Sequence, residues 1–274
     1  IGGVIVGTVF AKSLAMSLDK PYVAVNHLEG HALTARLTNN IEYPYLLLLV
    51  SGGHTQIIAV LEYGKYSRLS STLDDAAGET FDKAAKILDI GFPGGPMIEK
   101  MAMSGDPKSY QLPRPMYKSK NPNFSFSGLK TAFNQTVLKN TLTKNNISNL
   151  SASIQKAISD CLVDRTRVAL DQFKMMINKN SNVQLVVAGG VASNKYIRNE
   201  LEKLAFISNT KFHAPPINLC TDNGAMIAWA GYEKYIYEGE TNLNFKPRPR
   251  WPLDPDAHQK NPIHSKIGKS GVKA

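Results

Sequence analysis

Tyr45-Leu46-Leu47-Leu48-Leu49-Val50-Ser51-Gly52-Gly53-His54-Thr55 passes from an apolar block of strand length into a tight polar turn, and His54 to Leu61 reads as a second strand. A hairpin of this kind favours glycine where φ is positive, and Gly52-Gly53 is read that way. A further apolar run, Val183 to Val187, is broken only by Gln184. That is the pattern of a strand covered on both faces. Gly189-Gly190 turns it into a helix over Ser193 to Leu204. Helical spacing also occupies Val4 to Leu18 (expected to be mostly buried), Asn26 to Thr38, Asp74 to Leu88 and Met97 to Met103. It returns over Ser127 to Lys139, with Ser127 as cap, then Ser151 to about Asn178, then Asp222 to Tyr237. Tyr22 to Val25 is expected as a short strand and 105–123 as a long loop. Beyond Asn242 the chain is expected to be an extended tail. Strands alternating with helices make this an α/β fold.

Composition narrows the classes. The 274 residues are 43% hydrophobic and 20% charged, which excludes disorder, collagen and disulfide scaffolds for the bulk of the chain. No uncharged apolar run reaches the ~18–20 residues of a membrane span. Two cysteines, Cys161 and Cys220, suit a reducing compartment. The net charge of +10 favours polyanionic partners, nucleic acid first; general solubility is the plainer reading. Much of the excess sits late in the chain, at Lys246, Arg248, Arg250, Lys260, Lys266, Lys269 and Lys273. The start, Ile1-Gly2-Gly3-Val4, has no Met and no basic n-region, so the chain is read as cut inside a domain.

His27-Leu28-Glu29-Gly30-His31 places two imidazoles one helical turn apart, where both can reach one metal ion. The alternative is a capping box made by Asn26 and Glu29. A zinc peptidase would need Glu directly after the first His or directly before the second, and Glu29 is at neither place. Ser51-Gly52-Gly53-His54-Thr55 lets main-chain N–H groups approach phosphate oxygens, or is an ordinary hairpin turn. Val187-Ala188-Gly189-Gly190-Val191-Ala192-Ser193-Asn194 sets a nucleotide against a helix start, or is a simple N-cap. Asp222, in Thr221-Asp222-Asn223-Gly224, is a helix cap or a third metal ligand. Asp82 binds ribose hydroxyls or faces solvent.

Taken in order, His-x-x-x-His, Val-Ser-Gly-Gly-His-Thr, Ala-Gly-Glu-Thr-Phe-Asp-Lys, Pro-Gly-Gly-Pro, Phe124-Ser125-Phe126-Ser127-Gly128-Leu129-Lys130, Ala-Gly-Gly-Val-Ala-Ser-Asn and Cys-Thr-Asp-Asn-Gly-Ala strongly resemble the TsaD family from residue 1 to about residue 256. These are tRNA threonylcarbamoyladenosine transferases. The resemblance implies the two-lobed actin, Hsp70 and sugar-kinase (ASKHA) fold with an incomplete first lobe. Residues 1–43 joined by 223–243 would be the remnant of lobe I, 44–222 lobe II, and 244–274 a basic Pro-rich tail. It implies transfer of threonylcarbamoyl from threonylcarbamoyl-AMP to N6 of the adenosine 3′ of the anticodon, in tRNAs reading ANN codons. It places one divalent metal per subunit, Fe2+ or Zn2+, on His27, His31 and Asp222. Leu49, Val50, Ser51, Gly52 and Gly53 would contact substrate at the phosphate turn, and Asp82, Gly95, Glu99 and Asn194 the nucleotide. No general base is implied; His54 is a candidate.

A TsaB-like paralogue and a TsaE-like ATPase are the expected partners if the source is bacterial, with no membrane. The expected location is the cytoplasm, alternatively the mitochondrion. The family's opening strand–turn–strand with its Asp-Thr-Ser-type motif is missing, so residues 1–274 are expected to transfer poorly. Two rivals stand beside this reading. One is a phosphotransferase or ATPase of the same superfamily. The other is a truncated, catalytically impaired module that binds nucleotide or tRNA.

Overall fold

The computed structural model describes residues 2–178 and 182–260. Five strands, β1 (Tyr45–Val50), β2 (Thr55–Glu62), β3 (Lys65–Ser71), β4 (Gln184–Ala188) and β5 (Lys211–His213), form one sheet in the order β3-β2-β1-β4-β5. β2 is antiparallel to both neighbours, while β1, β4 and β5 run parallel. Alternation along β1 explains why its whole length is apolar. Leu46, Leu48 and Val50 enter a core built with helices α3 (Ala77–Leu88), α4 (Gly94–Ala102), α5 (Ser127–Leu138), α6 (Lys144–Met176) and α7 (Lys195–Ile207). Tyr45, Leu47 and Leu49 enter a second core with Leu28, Ala32 and Ala35 of α2 (His27–Asn39). A strand covered on both faces has no solvent side to mark with polar residues.

α8 (Gly224–Glu238) packs along α2. The Arg36 guanidinium of α2 reaches the Glu233 carboxylate of α8 at 2.8 Å, and Ile227 of α8 fills the space beside Gly30. α1 (Gly2–Ser17) is helical as expected but has no buried residue, and Phe10 is 69% exposed. Little of the described chain covers it. Tyr22 to Val25 is extended without joining a ladder. Instead the Tyr22 carbonyl accepts from the Thr241 N–H, and the Ala24 N–H donates to Thr241 Oγ1.

Several local expectations change. Gly52 and Gly53 do not adopt left-handed φ. Ser127 does not cap α5, since its hydroxyl donates to Asp74. Asn26 caps α2 by accepting from the Leu28 N–H at 2.9 Å, but Glu29 does not close a capping box; it accepts from the Tyr66 hydroxyl at 2.7 Å. α6 starts at Lys144, capped by Thr143, well before Ser151. α7 starts at Lys195 rather than Ser193, with Asn194 as its cap. The loop 105–123 has no helix or strand, and is clamped to α6 through Arg114–Asp160 at 2.9 Å and through the buried Arg165, which donates to the Ser119 carbonyl.

The chain after α8 is basic and Pro-rich but not loose. It runs as a strap: Lys12 donates to the Phe245 carbonyl, Asn26 to the Trp251 carbonyl, and the Arg68 N–H of β3 to Asp254. A short helix, α9 (Ala257–Lys260), follows. Residues 261–274, with Lys266, Lys269 and Lys273, lie outside the described residues.

Candidate metal centre and ligand cleft

The two histidines of α2 face one acid from the loop before α8. His31 Nε2 lies 3.0 Å from Asp222 Oδ1, and His27 Nε2 lies 3.4 Å from the same oxygen. The imidazole rings meet edge to face with centroids 5.0 Å apart. One ligand atom from each residue can be chosen so that all three lie within 4.8 Å of one another. The helix start at α8 is capped by Asn223, which accepts from the Met226 N–H at 2.9 Å. That leaves the Asp222 carboxylate to the histidines. The His31 side chain is buried, at 3% exposure, while those of His27 and Asp222 are 52% and 74% exposed. The centre therefore has one anchored ligand and an open side. Burial, with His27 close by, pushes His31 below the usual imidazole range against the pull of Asp222. That direction favours the neutral ring, the form that binds metal.

Beside this centre is a cleft of about 240 Å³ lined by Gly52, Gly78, Phe81, Asp82, Pro93, Gly95, Pro96, Glu99, Gly190, Val191, Ser193, Asn194 and Thr221. Thr221 lines the cleft and Asp222 faces the histidines, so one dipeptide joins the two features. Five of the expected contact residues line it together: Gly52, Asp82, Gly95, Glu99 and Asn194. Leu49 and Val50 are buried strand residues, with main chain alone to offer at the turn. Ser51 closes that turn, its N–H donating to the His54 carbonyl at 2.8 Å and its hydroxyl oxygen accepting from the His54 N–H at 3.1 Å. Gly53 and His54 belong to the turn but do not line the cleft.

The cleft is assembled by hydrogen bonds between segments. Asp82 of α3 accepts from the Gly94 N–H at 2.8 Å and so fixes the start of α4. Glu99 of α4 accepts from the Lys195 N–H at 2.7 Å and bridges to α7. Asn194 accepts from the Ile197 N–H and donates to Gln155, so its amide is engaged with protein at both ends. Two further residues position the turn. Thr55 is buried, and its hydroxyl oxygen accepts from the Ala77 N–H at 2.9 Å, holding α3 against the turn. Gly78 packs so closely that a Cβ there would lie 2.6 Å from the Ser51 carbonyl oxygen. In sequence Gly78 belongs to the Ala-Gly-Glu-Thr-Phe-Asp-Lys motif, and it stands in the first turn of a helix, where alanine would propagate better. Gly52 and Gly95 are different: a Cβ at either meets no protein atom within 4 Å, and neither has left-handed φ. Room in front of them is not needed by the protein itself.

The chain matches the family model described as TsaD, tRNA N6-adenosine threonylcarbamoyltransferase, over residues 1–229. The curated tRNA N6-adenosine threonylcarbamoyltransferase of Brucella suis is 52% identical over 275 residues, covering 100% of this chain and 76% of its own length. That of Rhodospirillum rubrum is 52% identical over 277 residues, covering 100% and 74%. Among solved structures, T. kodakarensis HypF superposes with a TM-score of 0.63 at 14% identity, over 85% of this chain and 39% of that one. A full-length HypF in a phosphate- and nucleotide-bound form gives 0.58 at 15% identity, over 83% and 38%. At such identities these two structures support the α/β fold alone.

Proposed function

Because this chain belongs to the TsaD family of tRNA N6-adenosine threonylcarbamoyltransferases, we propose that it transfers threonylcarbamoyl from threonylcarbamoyl-AMP to N6 of the adenosine 3′ of the anticodon, in tRNAs reading ANN codons. The observation that carries this is the meeting of His27, His31 and Asp222 beside a cleft that shares Thr221 with them.

The bond that forms joins N6 to the carbamoyl carbon. The bond that breaks joins that carbon to a phosphate oxygen, and AMP departs with the electron pair. The N6 proton passes to water; His54, the candidate base, belongs to the turn but does not line the cleft, so it would take the proton through that water. The exocyclic amine of adenine is a weak nucleophile, so holding the donor in an attacking geometry carries much of the rate. In this reading the AMP moiety lies in the cleft with its phosphate toward Ser51-Gly52-Gly53. There N–H groups can approach closely, because no Cβ intervenes. Asp82, Gly95, Glu99 and Asn194 border the nucleoside. The engaged amide of Asn194 makes it a wall rather than a reader of the base.

Two imidazoles and a carboxylate fit a divalent ion of intermediate softness, iron or zinc. The closeness of the three ligand atoms fits such an ion. Such an ion supplies Lewis acidity to a carbonyl or phosphoryl oxygen when bound. His31 would anchor it from the buried side, and exposed His27 and Asp222 would leave positions open toward substrate.

The remaining assignments follow the same reading. The sheet order, with β2 alone reversed, and the fold likeness to HypF support an ASKHA lobe over 44–222. Residues 1–43 with 223–243 would belong to the other lobe. A TsaB-like paralogue and a TsaE-like ATPase are the proposed partners in a bacterial source, and the cytoplasm or the mitochondrion the proposed location. No described helix is long and apolar enough to cross a membrane.

The test is direct. Purified protein is mixed with unmodified tRNA, threonylcarbamoyl-AMP and iron or zinc, and the digested nucleosides are analysed. Appearance of threonylcarbamoyladenosine is the expected result. ATP hydrolysis without the modified nucleoside would replace this reading with the phosphotransferase one.

A further inference from the structure

The strap after α8 carries three cations that the transfer chemistry does not use. Lys246-Pro247-Arg248-Pro249-Arg250-Trp251 alternates basic residues with prolines. The Phe245 and Trp251 rings meet with centroids 5.3 Å apart, closing this segment into a loop. The Arg248 guanidinium lies 4.9 Å from the first ring and 5.2 Å from the second. Lys234 of α8 approaches the Trp251 ring at 5.3 Å. Lys246, Arg248 and Arg250 are all exposed. None of them takes part in an ion pair with a described carboxylate, unlike Lys65, Lys83, Lys156, Arg167, Lys203 and Lys234, each of which pairs with an acid three or four positions away. Two fixed proline φ angles and the ring closure restrict the loop before anything binds, so little entropy remains to be lost on contact.

The position of this loop gives it meaning. The Trp251 carbonyl accepts from Asn26 Nδ2 at 2.7 Å, and Asn26 caps the helix that begins with His27. The cationic loop is thus one hydrogen bond from the residue that precedes a metal ligand. An RNA that delivers a base amine to that centre must carry its phosphates along the flank. Unpaired cations there release counterions on contact with phosphate, which is the main source of affinity for nucleic-acid backbone.

We propose that Lys246, Arg248 and Arg250 form a seat for the phosphate backbone of the tRNA substrate beside the metal centre; this rests on the transferase reading above. Arg248 is fixed by its rings, and Lys246 and Arg250 extend the seat to either side.

The test uses the double variant Lys246→Ala/Arg250→Ala, which leaves the Arg248 ring cluster and the Asn26–Trp251 bond in place. Binding to an unmodified, in vitro transcribed tRNA is measured across a salt series. Loss of two phosphate contacts should reduce the slope of log K against log salt by roughly 1.4–1.8, at about 0.7–0.9 per contact. AMP affinity and melting temperature should hold. The charge-retaining pair Lys246→Arg/Arg250→Lys should keep the wild-type slope. An unchanged slope in the alanine pair overturns the seat. If the wild type forms threonylcarbamoyladenosine while the slope is unchanged, only the seat is lost. If the wild type forms none, the transferase reading is lost, whatever the slope does.

Discussion

His31 and Asp222 stand 191 residues apart in sequence and 3.0 Å apart in space, Nε2 to Oδ1. One is buried in a helix and the other is exposed in a loop, so their contributions to a bound ion separate experimentally. His27→Ala and Asp222→Asn alter exposed side chains and should leave the unfolding free energy of the metal-free protein within the range of a surface change, about 0.5 kcal/mol. Each should still reduce bound iron or zinc at least tenfold, by elemental analysis after dialysis against the metal. Full metal occupancy in both variants would remove the centre from the mechanism.

Gly78 and Gly95 border the same cleft and should respond oppositely to a methyl group. At Gly78 a Cβ would meet main-chain atoms of Ser51 and Gly52 at 2.6–2.8 Å. Gly78→Ala should therefore cost about 1–3 kcal/mol, a value typical of overpacking, and displace the turn. At Gly95 the space is open. Gly95→Ala should fold as well as the wild type yet bind AMP more weakly, by calorimetry. Equal AMP affinity in Gly95→Ala would show that the open space is not the ligand's.

Asp74 joins the end of β3 to the start of α5. Burial would raise its carboxyl, but the Phe126 N–H, the Ser125 and Ser127 hydroxyls and the Ser127 N–H all donate to it, and together they hold it below the ordinary range. A depressed folded value means that the stabilisation is complete above the unfolded value, near 4, and is lost as pH falls through the folded one. Asp74→Asn should cost about 1–3 kcal/mol at pH 7, as for hydrogen bonds to a charged group. Denaturant titrations at pH 7 and pH 3 should show the difference from wild type shrinking at the lower pH. A constant difference would mean that the charge is irrelevant.

The two thiols should be inert in the folded protein. Burial pushes Cys161 up to about 12 and also raises Cys220, against the nearby Arg198 guanidinium. Thiolate is the reactive form. Iodoacetamide at pH 8 should label neither residue natively and both in urea, as read by intact mass. Rapid native labelling of either would contradict the packing around it.

The parts of the fold that were legible in sequence are those whose burial is written in one-dimensional pattern. β1 is apolar throughout, and β2 and β4 are largely so, because both faces of these strands are covered. β3 was not found, because Lys65-Tyr-Ser-Arg-Leu-Ser-Ser is mostly polar. Its Arg68, Ser70 and Ser71 are nevertheless buried, near where Asp254 of the strap bonds the Arg68 N–H. Arg68 pairs with a segment 186 positions away, and Ser70 and Ser71 with Pro122 and Asn123, 52 positions away, which no local period can report. α1 misled in the opposite sense, as an apolar helix that the described chain leaves exposed. At the site, the His-x-x-x-His spacing was visible in itself, whereas Asp222 was a cap or a ligand until Asn223 was seen to do the capping. The cleft residues came from the resemblance to a family, since they lie on several segments joined by bonds such as Glu99 to Lys195 N–H.

Asn26 and Trp251 are 225 residues apart, and their hydrogen bond has a consequence for biosynthesis. During translation α2 emerges before any strand of the sheet, yet the clasp over the first turn of α2 is made from chain synthesised long afterwards. Contacts of such separation form late, because the intervening chain must first be ordered. Asn26, the cap of the helix that bears both histidines, thus gains its bond to the strap only after the nascent polypeptide has delivered Trp251 beyond the ribosome.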